Sequence, residues 1–378
     1  MIYFDNSATT RPFDAVIDAV AGAMQTEYYN PSALYAQAMG VKAQLDACRA
    51  QITQVLLTRE HTTVFTSGGT EAINLAIKGS LMQLRGQKGH FILLAIEHAA
   101  VLECAKYLKN LGHEIDVLGV DENGIADLAA LEMLLRPDTF MLCAMHLNNE
   151  VGAVQPILQM GTLLKRLSPK ALFMVDGVQG FLHAPLSLAQ AQVDLYALSA
   201  HKIHGPKGTG ALVVKKGVRL MPQLHGGGQE DGMRSTTENT YGIIGLGAAI
   251  AEHAHFNMAD VADLRKRLIE GALQVGGVLN GPQDCALAPH IANISFPLKA
   301  EVLLHALEGE GILTATGAAC SSHKRAPSHV LTAMGLKKQR VEGALRFSLS
   351  HLNTIEEVDI TIAALKRIVP NLSAYVRR

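Results

Sequence analysis

The sequence contains no tryptophan, and aromatic residues make up only 5% of its 378 positions. An aromatic-rich surface on which nucleic-acid bases stack is therefore not expected. The formal net charge is −1 and the pI is near 7.0, so the chain as a whole does not attract nucleic acid or an anionic membrane. Charged residues reach only 18% while hydrophobic residues reach 48%, which excludes a largely disordered or coiled-coil chain.

Long hydrophobic runs are also missing. The longest weakly polar run, 241–251, is too short to cross a bilayer. The N-terminal sequence MIYFDNSATTRPF has neither the basic region nor the apolar region of a secretory signal. We therefore expect a cytoplasmic protein with no membrane partner.

Cysteine is scarce, and its arrangement excludes two common uses. The five cysteines are odd in number and form no CxxC pair, so neither a disulfide framework nor a zinc ribbon is expected. The sixteen histidines include no HExxH motif. His201 and His204 have a spacing that some metal sites use, but no carboxylate or cysteine cluster accompanies them, and we predict no metal site.

Short apolar runs alternate with amphipathic stretches, a pattern typical of an α/β protein with a mainly parallel sheet. Helical spacing relates Val16, Val20 and Met24, and a long helical stretch is predicted over 243–275. The length favours two domains, which we place at 13–256 (large) and at 1–12 with 257–378 (small, α/β). The predicted strands of the large domain are 62–66, 91–96, 139–145, 171–175, 194–198 and 210–214.

Polar groups follow five of these predicted strands, and ligands of open α/β sheets bind outside the carboxyl ends of the strands. Taken singly, each group is more simply a cap or a turn residue. Five groups at one edge of a sheet indicate a site. They are SGGTE at 67–71, Glu97 with His98, HLNNE at 146–150, Asp176 with Gln179, and SAHK at 199–202.

The residue types at this edge suggest a particular cofactor. The Ser-Gly-Gly-Thr turn before a helical pattern offers free N–H groups to a phosphate, although it matches neither a Walker A loop nor GxGxxG. Lys202 follows an apolar strand, where a lysine can act as a Schiff-base nucleophile, although most lysines lie on the surface. Asp176 ends an apolar strand and requires a cationic partner there. Together they indicate pyridoxal phosphate, with Asp176 at the pyridinium nitrogen.

The chain also resembles a known family, the cysteine desulfurases, which are class V aminotransferases of pyridoxal-phosphate fold type I. The resemblance runs from end to end in family order. The matching stretches are DNSATT (5–10), NPSAL (30–34), FTSGGTEAIN (65–74), EHAAVL (97–102), MHLNNEVGAVQPI (145–157), VDGVQ (175–179), SAHKIHGPKGTGAL (199–212), HGGGQEDGMRSTTEN (225–239), AACSS (318–322), PSHVLTAMGL (327–336) and LRFSLS (345–350).

The resemblance implies that Lys202 forms an imine with pyridoxal 5'-phosphate, that His98 stacks on its ring, and that Cys320 accepts the sulfur. It implies that Asn149 and Arg346 bind the substrate carboxylate, and that Thr237 reaches the cofactor of a neighbouring subunit, hence a homodimer. Thr236 departs from the glycine usual before that threonine. The implied cofactor-binding residues are Gly69, Thr70, His98, Asn149, Asp176, Gln179, Ser199, His201, Lys202 and Thr237.

The implied activity is removal of sulfur from L-cysteine, which gives L-alanine and a Cys320 persulfide. The persulfide sulfur then passes to an acceptor protein, either an iron–sulfur scaffold or a tRNA-thiolation enzyme. Three alternatives stay open: a selenocysteine lyase, another class V aminotransferase or lyase, and a weakly active sulfur-transfer partner.

Cys320 differs from the other cysteines in its sequence surroundings as well. Small residues flank it, and His323, Lys324 and Arg325 follow, and such cations favour a thiolate. Cys48 and Cys104 lie in helical patterns and Cys143 in an apolar strand, where a buried hydrophobic role is the better interpretation. Cys285 lies in a predicted loop and stays ambiguous.

Overall fold

The computed structural model describes residues 1–283, 289–316 and 327–376. Cys320 and Cys285 lie outside these residues. The strands are β1 Ile2–Tyr3, β2 His61–Thr66, β3 His90–Leu94, β4 Glu114–Leu118, β5 Thr139–Met145, β6 Leu172–Asp176, β7 Leu195–Ser199, β8 Gly210–Lys215, β9 Val278–Asn280, β10 Ile291–Ser295, β11 Ile312–Leu313, β12 Ala315–Thr316 and β13 Ala344–Ser348.

The helices lie between these strands and after the last of them. They are α1 Asp14–Thr26, α2 Ala36–Val55, α3 Gly69–Ser80, α4 Ala99–Asn110, α5 Leu128–Leu134, α6 Ile157–Leu167, α7 Thr240–His253, α8 Met258–Leu273, α9 Ala300–Glu308, α10 His329–Ala333, α11 Lys338–Glu342 and α12 Ile355–Val376. A short 3₁₀ turn, Ala200–Lys202, follows β7.

The central sheet has seven strands in the order β2-β8-β7-β6-β5-β3-β4. It is mainly parallel, with β8 antiparallel to both of its neighbours. Every residue of β3, β6 and β7 is buried, because helices cover both faces and the strands are continuous apolar runs. All six predicted strands are present within two residues at each end, and 139–145 agrees at both ends.

Two elements differ from the sequence predictions. The edge strand β4 was not predicted, since Glu114 and Asp116 interrupt any apolar run and, within the described part of the chain, the strand pairs with β3 alone. The single helix predicted over 243–275 is wrong: α7 ends at His253 and α8 begins at Met258. Asn257 is the N-cap of α8, since its side chain accepts a hydrogen bond from the N–H of Ala259 at 3.0 Å.

A second, antiparallel sheet has the order β12-β13-β10-β9, and α8, α9 and α12 pack near it. The N-terminus joins this part of the fold, since β1 pairs in parallel with β11. Phe4 is fully buried here beside Phe347 of β13. The chain then crosses to the central sheet, so residues 5–10 lie between the two sheets. The predicted division near residue 256 falls between α7 and α8, although Val330 and Ala344 pack into the core around the central sheet.

Five histidines pack against one another and against two phenylalanines where these two parts meet. His183 stacks on His290 at 4.1 Å between ring centroids, and His253 and His351 are 5.2 Å apart. Burial, together with the smaller effect of neighbouring histidines, lowers the pKa of His183 to about 4 and that of His253 to about 2. The other members of this histidine cluster are His204, which stacks on Phe13, and Phe256, which stacks on His351.

This cluster predicts that the protein is sensitive to acid. Each folded-state pKa lies below the unfolded value of about 6.5, so the unfolded chain binds more protons once the pH falls below that value. The contribution of this cluster to stability is therefore complete above about pH 6.5 and declines from there toward pH 4, by about 1.4 kcal/mol per pH unit for each proton taken up.

Urea unfolding at pH 7.5 and at pH 5.5 measures this decline. His253→Phe should weaken the pH dependence, since one buried imidazole no longer takes up a proton on unfolding. His255→Gln, two residues away and exposed, serves as the matched control and should keep the wild-type dependence. An equal pH dependence in wild type and in His253→Phe would contradict the prediction.

Candidate active site

A cavity of about 240 Å³ lies at the carboxyl ends of β5, β6 and β7, the edge at which the sequence predicts a site. Of the ten predicted cofactor-binding residues, nine line it, and Thr237 does not. The lining residues are Ala8, Gly69, Thr70, Ile73, His98, Met145, Leu147, Asn149, Asp176, Val178, Gln179, Ser199, His201 and Lys202.

One wall is the N-terminus of α3, which begins at Gly69 directly after β2 and a two-residue turn. A Cβ atom at position 69 would collide with the side chain of Val178, so the close packing of Gly69 against Val178 requires glycine at this position. The first N–H groups of a helix have no partner within the helix and attract anions. This wall therefore suits a phosphate group, as the Ser-Gly-Gly-Thr turn predicts.

Glu71 connects the Ser-Gly-Gly-Thr turn to Arg234, which lies in the loop after β8. The carboxylate of Glu71 accepts from the Ser67 N–H at 2.7 Å and pairs with Arg234 at 2.8 Å. Burial opposes ionisation of Glu71, but these donors prevail and lower its pKa. Glu71 is thus an anion that holds the start of the phosphate-binding turn and joins the turn to Arg234.

Lys202 lies on the 3₁₀ turn after β7, and its Nζ donates to the carbonyl oxygens of Ser7 and Ala8. The strand before it is buried throughout, so the turn delivers the amine to the cavity edge. The N-terminal segment is itself attached to this turn, because the N–H of Thr10 donates to the carbonyl of His201 at 3.0 Å.

Asp176 ends β6, and its carboxyl group is buried. Its Oδ1 accepts from the N–H of Val178 at 3.0 Å. Burial raises the pKa of Asp176, while His98 and Lys202 act in the opposite direction. A buried carboxylate that faces a cavity is stabilised by a cation there, and a protonated ring nitrogen would supply one.

His98 is the N-cap of α4, and its Nδ1 accepts from the N–H of Ala100 at 3.1 Å. In the neutral ring this hydrogen bond assigns the proton to Nε2. His201 is similar, since its Nδ1 lies 3.1 Å from the hydroxyl of Thr9, and burial lowers its pKa to about 4. Both imidazoles can therefore present an N–H donor at the cavity.

Gln179 has one amide atom that is not satisfied. Its Nε2 contacts the hydroxyl of Ser7 at 3.2 Å and His290 at 3.3 Å, while Oε1 is buried with no partner among the described residues. The oxygen and nitrogen of the amide can be exchanged without a change of shape. An unsatisfied amide atom on a cavity wall is satisfied by a polar ligand group.

Arg346 lies on β13, and it does not line the cavity. Its Nη1 donates to the carbonyl of Asn149 at 3.1 Å, and its Nη2 donates to Asp5 at 2.6 Å. Arg346 and Asn149, the two predicted substrate-binding residues, are therefore in contact through the backbone carbonyl of Asn149. The pairing of Arg346 with Asp5 was not predicted, although Asp5 lies in one of the matching stretches.

Two other groups near the site had no predicted role. The Glu97 carboxyl is buried and accepts from the N–H of Met145 at 2.6 Å, which ties the end of β3 to the end of β5. Burial, and then the nearby Asp176, raise the pKa of Glu97 well above its usual range. Glu150 accepts from the hydroxyl of Ser328 at 2.5 Å, and burial raises its pKa to about 7. Both were visible in the sequence only as polar residues after predicted strands.

The donor set fits pyridoxal phosphate. The α3 N-terminus suits its phosphate, Asp176 its ring nitrogen, Lys202 its carbonyl carbon, and Gln179 a further polar substituent. Among the residues that the structure describes, no group of three or more histidine, cysteine or acidic side chains could hold a metal ion. Within the same part of the chain, no helix has both the length and the apolar character needed to cross a membrane.

Comparison with known proteins shows what this chain is similar to. Residues 2–361 match the family model described as Aminotransferase class-V. The cysteine desulfurase IscS of Methanosarcina thermophila is 39% identical over 377 residues, 98% of this chain and 92% of that protein. Cysteine desulfurase 2 of Trichormus variabilis is 40% identical over 381 residues, 99% of this chain and 94% of that protein.

A solved NifS-like protein superimposes with a TM-score of 0.90 at 34% identity, covering 98% of this chain and 99% of that one. The agreement over nearly the whole of both chains confirms the predicted α/β fold of type I. It includes the smaller C-terminal part as well as the central sheet.

Proposed function

The chain belongs to the aminotransferase class-V family, and from this premise we propose its reaction and the residues that carry it out. It is a cysteine desulfurase, a pyridoxal-phosphate enzyme that removes sulfur from L-cysteine and leaves L-alanine. The observation that carries this function is the convergence of Lys202, Asp176 and the α3 N-terminus on one cavity.

Bound pyridoxal phosphate supplies an electron sink, which allows a Cα–H bond of an amino acid to ionise. We assign its phosphate to Thr70, Ser199 and His201, together with the N–H groups at the start of α3. Asp176, as a carboxylate, keeps a proton on the ring nitrogen. The amine of Lys202 is the base that receives the Cα proton, and the surrounding carbonyl oxygens of Ser7 and Ala8 can hold it when it is protonated.

The remaining roles concern the substrate and the sulfur. Arg346 and Asn149 bind the α-carboxylate, because a guanidinium suits a two-oxygen anion. The Nε2–H of His98 holds a proton close to the reacting atoms. A thiolate at Cys320 attacks the substrate sulfur, so that an S–S bond forms on the enzyme and the C–S bond breaks. The electron pair of the C–S bond stays with the substrate carbon, which takes up a proton and becomes the methyl group of alanine. We propose that the persulfide sulfur passes to an acceptor protein, an iron–sulfur scaffold or a tRNA-thiolation enzyme.

We also propose a homodimer. The end of α1, the loop after it and the start of α2 expose several large apolar side chains, among them Leu34 at 94% and Met39 at 62%. A contiguous apolar surface of this kind is typical of an interface. Thr237 is exposed and does not line the cavity of its own chain, which suits a role at a neighbouring site.

Asp176→Asn is expected to lower the rate of alanine formation by about two to three orders of magnitude, since a neutral amide no longer favours the protonated ring. The variant should fold, because an amide oxygen can still accept from Val178. Asp194→Asn is the control. This carboxylate is also buried and pairs with Lys165 at 2.6 Å, but it precedes the first residue of β7 and so lies at the opposite edge of the sheet from the cavity. It should lose stability and keep its rate per bound cofactor. Near wild-type turnover by Asp176→Asn would contradict the assigned role.

One assay tests the function against its alternatives. The yellow protein is incubated with L-cysteine, with L-selenocysteine, or with an amino acid and a keto acid, and sulfide, selenide, alanine and the new amino acid are measured. A cysteine desulfurase forms alanine and sulfide in equal amounts from L-cysteine with a reductant. Selenide formation alone indicates a selenocysteine lyase, a new amino acid indicates an aminotransferase, and no product indicates a binding partner.

A further inference from the structure

Asp5 already holds the guanidinium that the proposed function assigns to the substrate. Its Oδ1 accepts from Nη2 of Arg346 at 2.6 Å, and the Arg346 side chain is only 2% exposed. Nη1 of the same guanidinium donates to the carbonyl of Asn149. A substrate carboxylate that binds Arg346 with two hydrogen bonds must therefore use nitrogen atoms that Asp5 and Asn149 contact.

The third nitrogen does not offer an alternative. Nε of Arg346 is buried and has no hydrogen-bond partner among the described residues. Asn149 lines the cavity and its carbonyl contacts Nη1, so the Nη edge is the part of the guanidinium that lies toward the cavity. An incoming carboxylate therefore meets the Nη edge of the guanidinium, where the Asp5 carboxylate lies.

Arg346 does not depend on Asp5 for its position. It lies within β13, between β10 and β12, and its backbone pairs with Asn293 on one side and Ala315 on the other. The carbonyl of Asn149 fixes one end of the guanidinium. Because Arg346 is already held by the sheet and by this carbonyl, it does not need the Asp5 carboxylate to orient it.

The Asp5 side chain, in contrast, can leave without unfolding its surroundings. It is 23% exposed, so its carboxylate has access to water. Its backbone is held separately, since its carbonyl accepts from the N–H of Ala8 at 3.0 Å and from the hydroxyl of Tyr3 at 3.1 Å. Rotation about the Asp5 side chain alone would free the Nη edge of Arg346.

We propose that Asp5 competes with the α-carboxylate of the substrate for Arg346 and thereby sets the affinity of the enzyme for L-cysteine. This inference rests on the proposed function. Asp5 acts through Arg346 and is a positioning residue. Because the competition weakens binding equally in the ground state and in the transition state, it raises KM and leaves kcat unchanged.

Asp5→Asn tests this competition, since the amide keeps an oxygen near Nη2 and removes the negative charge. We expect KM for L-cysteine to fall about three- to tenfold at unchanged kcat, and the inhibition constant of L-alanine to fall by the same factor. Cysteamine, which carries the amine and the thiol of cysteine without the carboxylate, should bind both proteins equally. A KM for L-cysteine that rises or stays the same would overturn the proposal, and a rise would indicate that Asp5 orients Arg346.

Asp5→Ser is a second variant and should behave in the same way if the fold of Asp5→Asn is disturbed. Asp14→Asn is the matched control: Asp14 pairs with Arg11 at the same 2.6 Å, but both side chains are exposed, at 77% and 64%. Its KM should equal that of wild type. Wild-type protein that forms no sulfide from L-cysteine would instead refute the proposed function, so the two failures are distinguishable.

Discussion

Lys202→Ala should abolish turnover, with a loss of about four orders of magnitude or more in the rate of alanine formation. The amine has two tasks in the proposed reaction, the imine with the cofactor and the transfer of the Cα proton. Asp176 lines the same cavity, but the proposed reaction uses its carboxylate at the ring nitrogen. No other lysine lines the cavity among the described residues, so none can replace the lost amine.

The variant should fold normally. Lys202 is half-buried at the cavity edge, and the short turn that carries it is held by backbone hydrogen bonds, such as that from Ile203 to Ala200 at 3.0 Å. Lys207→Ala, five residues further along and exposed, is the control and should keep the wild-type rate. The measurements are the absorption band of the cofactor imine and the alanine formed. An unshifted band with full activity in Lys202→Ala would contradict the assignment.

Cys320→Ser should lose sulfide release almost completely while it still binds L-cysteine. Lys202, Asp176 and Arg346 are intact in this variant, so the substrate binds and the cofactor spectrum changes. A hydroxyl is too weak a nucleophile to take the sulfur, since the reaction requires a thiolate.

The described cysteines do not offer a substitute. Cys48, Cys104 and Cys143 are all buried. Burial raises the pKa of Cys48 to about 12 and raises the pKa of the other two thiols as well, so these groups remain protonated near neutral pH.

Cys285→Ser is the matched control, because it makes the same change at the cysteine that the sequence places in a different predicted loop. It should release sulfide at the wild-type rate with dithiothreitol present. Sulfide release by Cys320→Ser at the rate of wild type, or its loss in Cys285→Ser, would show that Cys320 is not the acceptor.

Much of the site was visible in the sequence, because its parts are local. An apolar run that ends in a polar group predicts a buried strand and the polar residue at its carboxyl end, as at Asp176 and Ser199. Since the carboxyl ends of parallel strands meet at one edge, the pattern also predicts which side chains converge. The break between α7 and α8 and the edge strand β4 were missed, because an asparagine cap and an interrupted strand leave little trace in hydrophobic periodicity.

The sequence by itself thus determined the strands of the central sheet, the edge that carries the site and the residue types that suit the cofactor. Only the tertiary structure decided which groups contact the cationic side chains of Lys202 and Arg346. Ser7 lies 195 positions from Lys202, and Asp5 lies 341 positions from Arg346. No periodicity or spacing links residues so far apart. They meet because β1 pairs with β11 and the chain then passes between the two sheets, a contact that depends on the packing of the whole fold.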